Sequence, residues 1–126
     1  MPDKASDFKV FGSFGGCSQV FANLLDNATY WLRTKERGPW KIGVMSSPDR
    51  RHVLVADSGP GISPSIQEHL FEPFYSLKSP PSGLGLYICR YYMRQLKGDI
   101  RLAKQDEREP AFAGAQFMVK FPALKD

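Results

Sequence analysis

A chain of 126 residues is long enough for one domain around one hydrophobic core and too short for two. Its 42% hydrophobic and 24% charged content is ordinary for a globular protein, and no stretch reaches the roughly 18 apolar residues of a membrane span. The net charge of +4 comes from scattered Lys and Arg without a basic run interleaved with aromatics, so neither a nucleic-acid partner nor direct membrane contact is expected.

Residues 17–34 place Val20, Phe21, Leu24, Leu25, Ala28, Trp31 and Leu32 at the spacing of one helix face, with Ser18 as N-cap and Gly38-Pro39 as the stop. Residues 40–46 and 52–57 read as two strands joined by the turn Ser47-Pro48-Asp49-Arg50. Within the second, Val53-Leu54-Val55-Ala56 is continuously apolar, as in a strand buried on both faces. Asp57-Ser58-Gly59-Pro60-Gly61 cannot continue that strand, and Ser63-Pro64 opens a short helix toward Leu70. Residues 74–82 form a loop containing Ser79-Pro80-Pro81-Ser82, and a longer helix runs from Leu84 to about Lys97, ending at Gly98. Residues 99–103 and 115–121 form a hairpin-like pair of closing strands around a charged, mobile loop at 104–114. This order predicts an α+β fold, a two-layer α/β sandwich whose helices cover one face of a mixed, mostly antiparallel sheet.

Three constellations carry chemistry. Asn23 and Asn27 lie four residues apart on one side of the first helix, and an amide oxygen suits Mg²⁺; the plain alternative is two asparagines on a solvated edge. Asp57 ends a buried strand just before glycines, where a carboxylate accepts a hydrogen bond from an exocyclic amine while the backbone passes around a flat ring; the alternative is a simple turn. Ser82-Gly83-Leu84-Gly85-Leu86 opens the second long helix, where glycine amides and the helix dipole favour an anion. It is neither a P-loop, since G-x-x-x-x-G-K-[ST] is missing from the chain, nor a good Rossmann match, since a proline-containing loop precedes it.

Together and in this order, the motifs resemble those of the ATP-binding domain shared by histidine kinases, gyrase B, the large heat-shock chaperones and mismatch-repair ATPases, the GHKL or Bergerat-fold group. Asn23-Leu24-Leu25-Asp26-Asn27-Ala28 resembles its N box, and Asp57-Ser58-Gly59-Pro60-Gly61-Ile62 its first glycine box. Leu70-Phe71-Glu72-Pro73-Phe74-Tyr75-Ser76 resembles the F box, which points to the histidine-kinase branch. Gly83-Leu84-Gly85-Leu86 resembles the second glycine box, and Gly114-Ala115-Gln116-Phe117 through Phe121-Pro122 the closing strand. The resemblance covers about residues 17–122 and implies the Bergerat-type sandwich. It implies Asn27 as the Mg²⁺ ligand, Asn23 as its polar neighbour in the phosphate region, Asp57 as the acid for the adenine amine, and Gly59, Gly61 and Ile62 as the turn around the base. Gly83 and Gly85 match the hinge glycines that meet the triphosphate, flanked by Ser82, Leu84 and Leu86. The resemblance further implies Phe71 and Phe74 as anchors of the loop that the family uses as a lid over ATP, Lys78 on that loop as a phosphate contact or a solvated lysine, and Tyr30 and Trp31 as flanks of the nucleotide, with core packing favoured for Trp31. Pro81 stands where many relatives carry a glycine, which implies a stiffer lid end; Ser82 replaces a common threonine with little expected effect, and the lid is short.

The implied function is phosphoryl transfer from Mg²⁺-ATP to a histidine on a separate dimerisation domain in two-component signalling, with a response regulator downstream. The whole of residues 1–126 reads as the ATP-binding catalytic domain alone, cytoplasmic and without the phosphoacceptor part, in a parent that segments outside it could anchor in a membrane. Hydrolysing relatives carry a Glu one turn before the Mg²⁺ asparagine. Asn23 stands there, and an amide is no general base. His52 and His69 lack the setting of a phosphoacceptor, and with Cys17 and Cys89 they show no metal-site spacing, which fits free thiols in a reducing compartment. An anti-sigma-type serine kinase and a non-catalytic ATP-sensing module share these boxes and remain the alternatives.

Overall fold

The computed structural model describes residues 9–10, 12–73 and 85–123. Helix α1 spans Phe14–Arg33 and turns Val20, Leu24, Ala28 and Leu32 inward, one residue per turn. Its N-cap is Ser13, whose hydroxyl accepts from the Gly16 amide, five residues before the expected cap at Ser18. The expected Ser18 cap therefore falls inside the helix. Gly15-Gly16 reads as a breaker, yet Gly16 is where the Tyr92 ring crosses the helix, and a Cβ there would overlap the ring. The Tyr92 hydroxyl accepts from the Ser13 amide at 3.0 Å and donates to the Ser13 carbonyl at 3.2 Å, so a residue 79 positions away completes the cap.

Strand β1 (Ile42–Ser47) and β2 (His52–Asp57) form an antiparallel hairpin. β1 begins two residues later than expected because the Lys41 amide is taken by the Ser58 hydroxyl at 2.8 Å. A one-turn helix α2 (Pro64–Gln67) follows, and the chain then reaches Glu72 as successive turns, short of the expected helix to Leu70. Helix α3 (Gly85–Gln95) buries Cys89 and Met93. Its left-handed terminal residue is Lys97, φ 69°, and not Gly98. Gly98 is small for another reason: a Cβ there would overlap the Lys120 carbonyl. Strands β3 (Asp99–Leu102) and β4 (Gln116–Lys120) complete an antiparallel sheet of order β1-β2-β4-β3.

Val55, Phe117 and Val119 line the helix-facing side and join Val20, Leu24, Cys89, Met93 and Ile100 in the core. Each fully buried apolar side chain of this size contributes about 1.5–3 kcal/mol. The alternating residues Leu54, Ala56, Gln116 and Met118 are also buried, on the opposite face. Their cover is the segment expected as a mobile loop. It folds as a 3-10 turn at Gln105–Glu107, fixed by a paired Arg101–Glu107 contact at 2.7 and 2.8 Å. Phe112 packs over Gly43, and the Gln116 amide donates to the carbonyls of Glu109 and Phe112. Glu107 and Arg108, which the sequence reads as loop charges, are taken up by Arg101 and by the Gly114 carbonyl. β2 is buried on both faces, as its composition requires.

Candidate functional site

β2 delivers Asp57 to its end, where the residue is only 3% exposed. Its Oδ1 accepts from the amides of Gly59 at 2.8 Å and Ala115 at 3.2 Å. The backbone is tied on both sides as well: the Asp57 amide donates to Ala115 O at 3.0 Å and the Gly114 amide to Asp57 O at 2.9 Å. Burial pushes the carboxyl above its ordinary range, opposed by the two amides and by the charges of Arg108 and Lys35. Among the described residues both protein hydrogen bonds to the side chain fall on Oδ1.

Gly114 is required by this arrangement. A side chain there would overlap Asp57 Oδ1 and the Gly59 amide. Arg108 donates to the Gly114 carbonyl at 2.8 Å, so the cover segment also holds the floor of the site. Ser58 staples the glycine box to the turn after α1: its hydroxyl donates to Pro39 O at 2.8 Å, and Lys35 Nζ donates to the Ser58 carbonyl at 2.6 Å. Gly61 is left-handed at φ 82°, which any other residue would adopt only under strain. The Gln67 amide donates to Ile62 O at 2.7 Å and ties α2 to the same turn. Lys35, Ser58, Gly114 and Ala115 were not among the expected site residues. Lys35 lies 22 positions before Asp57, and only the third dimension makes it a neighbour. The Gly114-Ala115 pair was visible in sequence as the start of a closing strand.

From α1, the Asn23 amide nitrogen donates to Gly85 O at 3.2 Å and to Cys89 Sγ at 3.4 Å, while its oxygen accepts from Gln19 at 2.8 Å. Asn23 thus joins the N box to the first residue of α3. Asn27 is half-buried one turn further along α1. Tyr30 meets Trp31 edge-on at 5.1 Å, and the Trp31 Cβ would lie 3.6 Å from a side-chain carbon placed at Gly59, so the end of α1 adjoins the glycine box. Ile62, Phe71 and Leu86 are half-buried against the core, with Phe71 edge-on to Phe117 at 6.2 Å. Nothing described lies within 4 Å of where a Gly85 side chain would stand. Phe74, Lys78 and Ser82 of the expected lid, and Gly83 and Leu84 of the second glycine box, lie outside the described residues. Among the described residues, both cysteines are free thiols, and His69 pairs with Glu72 at 2.9 Å.

The family model described as histidine kinase-, DNA gyrase B-, and HSP90-like ATPase matches residues 15–125. The signal transduction histidine-protein kinase/phosphatase MprB of Mycobacterium ulcerans is 34% identical over 99 residues, covering 75% of this chain and 19% of that protein. The CAI-1 autoinducer sensor kinase/phosphatase CqsS of Vibrio cholerae is 34% identical over 116 residues, covering 91% of this chain and 16% of that protein. The chain therefore spans less than a fifth of the length of these two curated relatives. The solved catalytic domain of histidine kinase ThkA superposes with a TM-score of 0.68 at 32% identity, covering 90% of this chain and 70% of that one. By the family match over residues 15–125 and the likeness to these kinases, the chain belongs to the histidine kinase-, DNA gyrase B- and HSP90-like ATPase family, as an ATP-binding catalytic domain of the sensor histidine kinase type.

Proposed function

We propose that this domain binds Mg²⁺-ATP and donates its γ-phosphoryl group to a histidine on a separate dimerisation domain of a two-component sensor kinase, with a response regulator as the next acceptor. The observation that carries the reading is Asp57, a buried carboxylate held by two backbone amides on one oxygen beside the glycine turn. Its other oxygen, Oδ2, is the acceptor for the adenine amine. Gly59 and Gly61 let the backbone pass close to the base, and Ile62 and Leu86 supply apolar walls. Among the described residues nothing crowds Gly85, which supports the approach of phosphate oxygens to the first turn of α3.

The donor set fits a nucleotide-borne Mg²⁺. No three His, Cys, Asp or Glu side chains converge among the described residues, whereas Asn27 offers one neutral oxygen. Phosphate oxygens and water complete such a shell, and the ion, when bound, neutralises charge on the transferred group. Asn23 orients α3 and holds no basic lone pair, so water is not activated from this position. The domain's own residues then supply binding and orientation, and the acceptor nitrogen comes from outside. Anchoring of the parent is proposed to lie elsewhere in it, since among the described residues no helix is long and apolar enough to cross a membrane.

Calorimetry with ATP and ADP, with and without Mg²⁺, tests the assignment. Asp57→Asn should weaken ATP by about 10- to 100-fold, the cost of replacing an acceptor with a mismatched amide. Asn27→Ala should abolish the Mg²⁺ dependence. Unchanged affinity in both variants would falsify the site.

A further inference from the structure

Arg90 belongs to none of the boxes. It stands on α3, and its guanidinium carbon lies 3.6 Å from the centre of the Phe71 ring. Nε and Nη2 both donate to the Ile100 carbonyl of β3, at 3.1 and 2.8 Å, and Nε is 3.6 Å from Asp99 Oδ1. Phe71 in turn meets Phe117 of β4 edge-on at 6.2 Å with an interplanar angle of 81°. One side chain therefore gathers the F box, α3 and the edge strand of the sheet. The ring of Phe71 is held between a flat cation and a core aromatic.

We propose that Arg90 is a positioning residue of the nucleotide site, clamping Phe71 so that the F box stays in register with the first turn of α3. The proposal rests on the nucleotide-binding reading above. Its physical basis is that Phe71, Phe117, Ile62 and Leu86 pack against one apolar cluster. A ring held only by Phe117 is free to change its tilt, and the wall built on it moves too. A planar guanidinium stacks on the ring face and still donates in its own plane to Ile100. A lysine at the same place keeps the charge and reaches the carbonyl with one nitrogen, but it cannot lie flat on the ring.

The test is a double-mutant cycle in this chain: Arg90→Lys, Phe71→Leu and the pair, each titrated with Mg²⁺-ATP and melted. Arg90→Lys should weaken ATP by about two- to thirtyfold, the range of a desolvated cation–π contact. The double variant should bind no worse than Phe71→Leu alone, because the effect of Arg90 passes through the ring. Arg94→Gln removes the neighbouring cation from the same Asp99, a contact of 3.3 Å, and should leave ATP affinity unchanged. Hydrogen exchange at residues 69–72 gives a second readout without nucleotide, and it should accelerate in Arg90→Lys and not in Arg94→Gln. Wild-type affinity in Arg90→Lys, full additivity in the cycle, or unaltered exchange at 69–72 overturns the proposal. A wild-type chain that binds no ATP removes the underlying reading instead, and the wild-type titration tells the two failures apart.

Discussion

At Asp57 the needs of stability and of recognition oppose each other. The carboxyl is 3% exposed and its pKa is raised from the ordinary 3.8 by burial, which outweighs the amides of Gly59 and Ala115. A carboxyl that holds its proton more tightly folded than unfolded gives stability that is complete below 3.8 and is lost as pH rises through the folded value. Asp57→Asn carries no charge to bury and escapes that loss. The denaturation midpoint of Asp57→Asn minus that of the wild type should therefore grow as pH is raised from 4 through the acidic range, then level off. A gap independent of pH would show that burial does not strain this carboxylate. The burial of Asp57 followed from the apolar strand that it ends, whereas an acid before glycines is on its own as readily a simple turn, and only the order of the boxes singled it out. Gly114 was legible only as part of a strand. Its role is to leave room for the Asp57 oxygen, and sequence spacing carries no information about that overlap.

The elements show where local signals were overruled by neighbours. The apolar stripe of α1 was readable, but its start was not, since Gly15-Gly16 lowers helix propensity and the cap is completed from α3 by Tyr92. Propensity alone says that Gly16→Ala should strengthen the helix by about 1 kcal/mol. The structure says the opposite, because the new methyl would overlap the Tyr92 ring. Gly16→Ala should destabilise the chain by about 1–3 kcal/mol in urea denaturation. Gly15→Ala, where nothing described lies within 4 Å, should not. Equal effects at the two positions would show that α3 does not press on α1 there. The segment from 103 to 115 makes the same point for charge. Glu107 and Arg108 read as part of a charged, mobile loop, yet Glu107 pairs with Arg101 of β3 and Arg108 donates to the Gly114 carbonyl, which holds the segment over the sheet. Glu107 sits at a pKa of about 2 for this reason, so protonation does not loosen the segment until well below the ordinary carboxylate range.

At the scale of the whole molecule the sheet has two covered faces, one by α1 and α3 and one by a charged strap that ends at the floor of the site. In that construction Asn23 ties the N box on α1 to the first turn of α3, while Ser58 and Lys35 tie the glycine turn to the turn after α1. The construction offers no base for water at Asn23. His52 has its pKa lowered, chiefly by burial and then by Arg50, and His69 is paired with Glu72. An isolated domain built this way should bind ATP and turn it over very slowly, with negligible labelling of itself. In-line transfer requires the acceptor nitrogen at the γ-phosphate, a proximity that a tethered helical hairpin supplies at high effective concentration. The parent's histidine hairpin, added in trans at high concentration with radioactive ATP, should become labelled, and the label should survive alkali and be lost in acid, as phosphohistidine is. Asp57→Asn should reduce that labelling in proportion to its loss of ATP affinity when ATP is subsaturating, and much less at saturation, because in the proposed role the residue meets adenine and not the transferred group. Strong labelling of the isolated domain, or an acid-stable product on serine, would contradict transfer to an external histidine and point to a different acceptor.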